Sequence, residues 1–151
     1  YIFDPGQQCA RMSGDELADG IRGAHMVICN DYELELIRQK TGMGESDILA
    51  QVAMLVVTLG EHGSRVITQS GSVEVPAVTP RRIEDPTGVG DAYRGGFLKG
   101  MAHDADVLVC ARLGSVAATY ALEHMGGQSH AYSWPEFRTR YEEHFGTLSL
   151  R

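Results

Sequence analysis

A chain of 151 residues with 43% hydrophobic and 22% charged side chains is one globular domain's worth of sequence, able to hide roughly 70% of its unfolded surface. Its formal charge of −7, with Arg81-Arg82 the only adjacent basic pair, excludes a general nucleic-acid or anionic-membrane binder, which needs a basic face, and no run approaches the roughly 20 apolar residues of a membrane span. Cys9, Cys29 and Cys110 have no metal-ligand spacing and sit in apolar surroundings, so buried, reduced thiols in a cytoplasmic protein are expected.

The opening YIFDPGQQ lacks the basic and apolar regions of a signal peptide. It starts on a strand and without Met, as expected for a piece of a longer chain. Tyr1–Asp4 is a short strand ended by Pro5-Gly6. Ser13 followed by Glu16 is a capping box that opens a helix to about Arg22. His25–Cys29 is a buried strand, after which Asn30 or Asp31 caps a helix to about Lys40. Glu45–Ala53 predicts a further helix and Leu55–Leu59 a further buried strand. Strands apolar on both faces, alternating with helices, mark a parallel α/β sheet.

After Gly60 the pattern changes. Arg65–Gln69, the turn Ser70-Gly71 and Ser72–Val78 predict a hairpin. A turn-rich stretch then leads into a helix, followed by a long helix over Asp106–Met125 rich in small residues. Gly126-Gly127 ends it, and Trp134–Phe145 forms a last amphipathic helix whose Arg140, Glu142 and Glu143 read as a solvated face. The six histidines show no ligand spacing, so no structural zinc is expected.

The sharpest feature is the run from Asp85 through Asp91. Gly88 and Gly90 let the backbone approach a ligand and turn N–H groups outward at a helix N-terminus, which suits a phosphate or developing oxyanion. Asp91 beside such a nest could accept a proton from an attacking hydroxyl. Equally, the run could be a glycine-rich turn with a capping aspartate. It is neither a Walker A loop nor a dinucleotide-binding GxGxxG.

Asp85-Pro86-Thr87-Gly88-Val89-Gly90-Asp91-Ala92-Tyr93-Arg94-Gly95-Gly96-Phe97 resembles the second signature of the ribokinase-like, or PfkB, family of carbohydrate and nucleoside kinases, approximately D-T-x-G-A-G-D-x-F-x-G-G-F. Val89 and Tyr93 keep the chemistry of the positions they occupy, and Pro86 suits an extended residue ahead of a turn. Asn30-Asp31-Tyr32-Glu33 resembles the family's N-x-x-E motif, which holds Mg²⁺ and phosphates largely through water. Thr58-Leu59-Gly60-Glu61-His62-Gly63 resembles its [TK]-x-G-x-x-G loop, bordering the ATP phosphates and adenine. By itself the first is an ordinary capped helix start and the second an ordinary strand-to-hairpin turn. Ser115 and Ala118 match the small-residue helix lining the adenine pocket, where plain helix packing is the alternative. Asp85, Thr87, Ala121, His124 and Gly126 match positions around a monovalent cation, K⁺, in the type member of the family, although His130 stands where that member carries Ser. The stretch from Gly126 to His130, with FDPGQQ at the start, resembles the bacterial adenosine-kinase-like branch.

The resemblance implies a ribokinase-like α/β fold, with a mostly parallel sheet flanked by helices and an appended hairpin. It makes residues 1–151 the C-terminal part of a single kinase domain about twice as long, whose N-terminal half and lid lie upstream. Such an enzyme moves the γ-phosphate of MgATP to a hydroxyl of a small sugar or nucleoside, an adenosine-like nucleoside being favoured. Asp91 takes the proton, N–H groups of Gly88, Val89 and Gly90 stabilise the moving phosphoryl, and Asn30 and Glu33 steady hydrated Mg²⁺. Alone, the piece would be inactive and would self-associate through an exposed sheet edge. The rival is a non-catalytic nucleotide-binding or assembly module. Intact Asp91, Gly88 and Gly90 argue against that decay.

Overall fold

The computed structural model describes residues 1–150. The strands are β1 (Ile2–Phe3), β2 (Met26–Asn30), β3 (Met54–Thr58), β4 (Ser64–Thr68) and β5 (Gly71–Val75), and they form one sheet in that order. β1, β2 and β3 run parallel, while β4 returns antiparallel to β3. The mostly parallel sheet with an added hairpin is therefore observed, its strands displaced by about one residue from their expected bounds except that β5 stops at Val75, three residues before the expected Val78. The chain separates into two compact units, one of residues 1–60 and 64–74, the other of residues 61–63 and 75 onward.

In the first unit, β2 and β3 are buried on both faces up to their last residue, as continuous apolar runs require. Val27, Cys29, Leu55, Val57 and Ile67 pack with Leu17 and Ile21 of α1 (Gly14–Ile21), Ile37 of α2 (Asp31–Thr41) and Ile48 of α3 (Glu45–Leu49). The capping box at Ser13 forms as expected, with Glu16 N–H donating to Ser13 Oγ at 3.2 Å and Ser13 N–H to Glu16 Oε2 at 2.7 Å. Lys40, near the end of α2, donates to the carbonyls of Cys9, Ala10 and Met12 at 2.7–2.9 Å. It thereby satisfies the end of a 3₁₀ turn over Gly6–Ala10 that the sequence reading did not foresee. The helix expected over Glu45–Ala53 stops at Leu49. Its last residues leave the helix because Ala53 N–H donates to His25 O at 2.9 Å, which steers the chain into β3 alongside β2.

The second unit contains α4 (Val89–Ala102), α5 (Val107–Leu122) and α6 (Trp134–Phe145). Its core joins Val78, Leu113, Val116, Ala117, Phe137 and Tyr141. Small residues bring α4 and α5 into backbone contact. A Cβ at Gly96 would lie 2.5 Å from Leu113 O, and one at Gly114 would lie 2.9 Å from the Tyr93 ring. The long helix ends at Leu122, three residues before the expected Met125. Glu123, just beyond it, accepts two hydrogen bonds from Arg140 at 2.6 and 2.8 Å. The pair is 8% and 4% exposed, so Arg140 belongs to the interior and not to the solvated face expected of α6. Its guanidinium also lies over the Tyr120 ring at 4.7 Å.

All three cysteines are free and buried, as expected. Burial raises the thiols of Cys9 and Cys110 above the usual cysteine range. Among the described residues, no helix is long and apolar enough to cross a membrane.

Candidate active site

Two of the expected motifs meet at the carboxyl ends of β2 and β3. Asn30 and Thr58 are register partners on the two parallel strands, at the end of the sheet where α/β folds take their ligands. Asn30 Oδ1 accepts Glu33 N–H at 2.7 Å, and Glu33 Oε2 accepts Asn30 N–H at 2.8 Å. The N-x-x-E spacing is thus a closed capping box, with Glu33 only 7% exposed. The box occupies one oxygen of each side chain. A second Glu33 oxygen and the strand-end position suit an outer-sphere contact, through water, better than direct ligation of Mg²⁺, which keeps several of its own waters. After Thr58 the chain turns through a short 3₁₀ segment, Gly60–His62. Gly60 has φ +58° with open space around it, and Gly63 has φ +92°. A Cβ at Gly63 would lie 2.0 Å from Val75 O, so Gly63 serves a close backbone crossing within the second unit.

The second unit carries the longer motif. Asp85 Oδ1 accepts Thr87 N–H at 2.8 Å and Oδ2 accepts Gly126 N–H at 2.9 Å. Thr87, through its backbone N–H and then its hydroxyl, and Gly126 hold the Asp85 carboxyl below the usual carboxylate range. This aspartate fastens the turn to the end of α5, where Glu84 N–H also donates to Leu122 O at 2.9 Å. Gly88 follows with φ +78°, and a Cβ there would meet Gly127 Cα at 2.6 Å. Both the left-handed backbone and the crossing demand glycine.

α4 starts directly after Gly88. Val89 N–H is directed at Pro86 O, 3.3 Å away, and the first i→i−4 bond is donated by Ala92 to Gly88 O at 2.9 Å. The N–H groups of Gly90 and Asp91 therefore stand in the first turn, ahead of the helical ladder, with the positive end of the helix dipole behind them. Gly90 is one of the three residues, Gly88, Val89 and Gly90, whose N–H groups were expected to face an anion, while the Val89 N–H is directed at Pro86 O. The Asp91 side chain is 84% exposed, and its Oδ1 accepts a 2.9 Å hydrogen bond from Arg94 Nη1. Sequence reasoning treated Arg94 as a spacer in the motif. The i,i+3 spacing of an aspartate and an arginine in one helix was the available signal.

The remaining predicted residues lie on or just after α5. Ser115 is buried, donates to Pro76 O at 3.0 Å and accepts Val78 N–H at 3.1 Å. Thr119 adds a 3.2 Å bond to Val78 O. Together they sew the segment after β5 onto the helix. Ala118 is half-buried and Ala121 fully buried. His124 Nδ1 lies 2.8 Å from Tyr120 O. Of the five cation positions, the structure links Asp85, Thr87 and Gly126 directly by hydrogen bonds. No group of three or more His, Cys, Asp or Glu side chains able to hold a metal occurs among the described residues. A groove of about 390 Å³ lined by Gly96, Lys99, Tyr132 and Trp134, among others, contains none of the predicted residues.

A mostly parallel sheet with an added hairpin, followed in the chain by a glycine-rich turn that opens onto a helix, is the architecture of a ribokinase-like α/β fold. The family described as pfkB family carbohydrate kinase matches residues 3–134, and the chain belongs to that family. It is 32% identical over 142 residues to a nucleoside kinase of Methanocaldococcus jannaschii, covering 94% of this chain and 47% of that protein. The structure of Burkholderia thailandensis nucleoside kinase in complex with inosine superposes with a TM-score of 0.94 at 40% identity, covering 97% of this chain and 48% of that one. The same kinase in complex with ADP-inosine gives a TM-score of 0.96 at 39% identity, over 99% of this chain and 47% of that one. The chain spans about half the length of these relatives.

Proposed function

We propose that this chain is the C-terminal half of a kinase domain about twice its length, which transfers the γ-phosphate of ATP to a hydroxyl of a nucleoside. The observation that carries the reading is the exposed Asp91 carboxylate in the first turn of α4, directly after the left-handed Gly88 and beside the two N–H groups not yet taken into the helix. Support for a nucleoside over a free sugar comes from the inosine complex of the Burkholderia kinase.

In this reading Asp91 accepts the proton of the attacking hydroxyl through Oδ2, the oxygen that Arg94 leaves unused. The Gly90 and Asp91 N–H groups receive charge spreading onto the transferred phosphoryl, where fixed donors cost no reorganisation. Thr58 and Gly60 border the ATP phosphates, with Gly63 in the same loop. Ser115 and Ala118 shape the adenine side of α5, Ser115 by holding residues 76–78 in place. Mg²⁺, when bound, would screen the phosphate charge, and the Asn30–Glu33 box would hold its water shell. Asp85, Thr87, Ala121, His124 and Gly126 are assigned to a K⁺ site only insofar as activity rises on replacing Na⁺ with K⁺. The three buried thiols accord with a cytoplasmic enzyme.

The test is ADP release by the full-length protein with MgATP and, in turn, inosine, adenosine, cytidine, ribose and fructose. The reading expects turnover with at least one nucleoside, exceeding that with either sugar and lowered by at least about 10²-fold by Asp91→Asn. Nucleotide binding with no turnover on any acceptor would instead make the protein a non-catalytic module.

A further inference from the structure

We infer that Arg94 is a positioning residue for the phosphoryl-transfer step, holding the Asp91 carboxylate in the one orientation that leaves Oδ2 for the acceptor hydroxyl. This rests on the reading of Asp91 as the base. A carboxylate that is 84% exposed has no packing to fix its rotamer, and an unfixed base spends most of its time away from the proton it must take. Arg94 supplies what packing does not. It is itself only 25% exposed, lies one helical turn on, and grips Oδ1 at 2.9 Å.

The backbone between them is shaped for this grip. A Cβ built on Gly90 would come within 3.1 Å of Arg94 Nη1, tighter than an ordinary van der Waals contact, and Gly90 is not at a positive φ. Its missing side chain therefore leaves room for the guanidinium where it now lies, and a methyl group there would push Nη1 aside by a few tenths of an ångström. Gly90, Asp91 and Arg94 work as one device: a gap, a carboxylate and the cation that reaches through the gap. An exposed i,i+3 pair contributes little to stability, so its consequence falls on catalysis. Misplacing a reacting group by about an ångström costs on the order of 10²-fold in rate.

The experiment is a double-mutant cycle on the full-length enzyme, with kcat and both KM values measured for wild type, Arg94→Ala, Asp91→Asn and the double variant. Arg94→Ala is expected to lower kcat by roughly 10- to 100-fold with both KM values nearly unchanged, and millimolar guanidinium ion should restore part of it. In the Asp91→Asn background the same substitution should cost nothing further, because its effect passes through the carboxylate. Gly90→Ala should reproduce the kcat loss of Arg94→Ala and add little to it. Arg94→Lys, which retains the stem and charge, should fall between wild type and Arg94→Ala, and it serves as the single variant if Arg94→Ala does not fold. An equal loss in both backgrounds, an unchanged kcat, or a loss confined to the KM for ATP would overturn the inference while leaving Asp91 as the base. Near-normal turnover of Asp91→Asn would overturn both.

Discussion

The two units of the chain carry their proposed site residues in opposite ways. In the first, Asn30 and Glu33 are built into the fold: they close a capping box, and Glu33 is buried. In the second, Asp91 stands in solvent and holds no part of the core, while the packing is done by other residues, among them Gly96, Gly114 and the Glu123–Arg140 pair. A site residue that is also a cap cannot be removed without loosening the helix it starts. A site residue in solvent can. The difference shows how to separate chemistry from architecture by mutation.

The largest expected effect lies on the exposed side of that comparison. In the full-length enzyme Asp91→Asn should lower turnover by about 10²–10⁴-fold, as expected for a lost general base, with no measurable change in the melting temperature. Stability loss matching the activity loss would erase the distinction between the two units. Next is the buried pair. Arg140→Ala should destabilise by about 3–5 kcal/mol, because it leaves the Glu123 carboxylate buried without its guanidinium partner and with only the Arg81 N–H as a close donor, as read from the urea midpoint at constant m-value. Gly96→Ala should cost about 1–3 kcal/mol by overpacking against the Leu113 carbonyl. Asn30→Ala should cost about 1 kcal/mol through the lost cap and weaken nucleotide binding as well, so that both readouts move together.

The smallest effect is a pH dependence. Arg140, through its hydrogen bonds, is the main influence holding Glu123 below the usual glutamate range. A depressed carboxyl contributes stability that is fully present above its unfolded-state value and is lost as pH falls through the folded one. Stability should therefore be flat near neutrality and decline below about pH 4.3. Glu123→Gln should flatten that decline. An unaltered acid limb in this variant would show that other carboxylates govern it.

Local signals in the chain were legible. The capping box at Ser13 depends on i,i+3 spacing alone, the cap of α2 was narrowed to Asn30 or Asp31, and the apolar runs ending at Cys29 and Leu59 needed only their lengths and flanks. The motif from Asp85 to Phe97 pointed to the family because its glycines and aspartates lie in one short stretch. What stayed hidden depends on partners far along the chain. The end of α3 was set by the hydrogen bond from Ala53 to His25, across 28 residues. Arg140 appeared solvated because its partner Glu123 lies on another element. The bonds of Ser115 to Pro76 and Val78 were hidden because nothing in its neighbourhood in the sequence announces them. Arg94 is the exception, since its partner is local and the spacing was readable.

The central claim is that the first turn of α4 receives the phosphoryl group, and the backbone amides of Gly90 and Asp91 report on it directly. Their ¹⁵N–¹H shifts would be followed in the full-length protein as MgADP and a nucleoside are added, with vanadate as the phosphoryl mimic. The account predicts that both amides shift downfield on vanadate addition, as expected for N–H groups that gain an anionic acceptor, and that the shift is lost on substituting Gly88 by Val. Unmoved Gly90 and Asp91 amides in a complex that binds nucleotide and nucleoside normally would place the anion elsewhere and contradict the account.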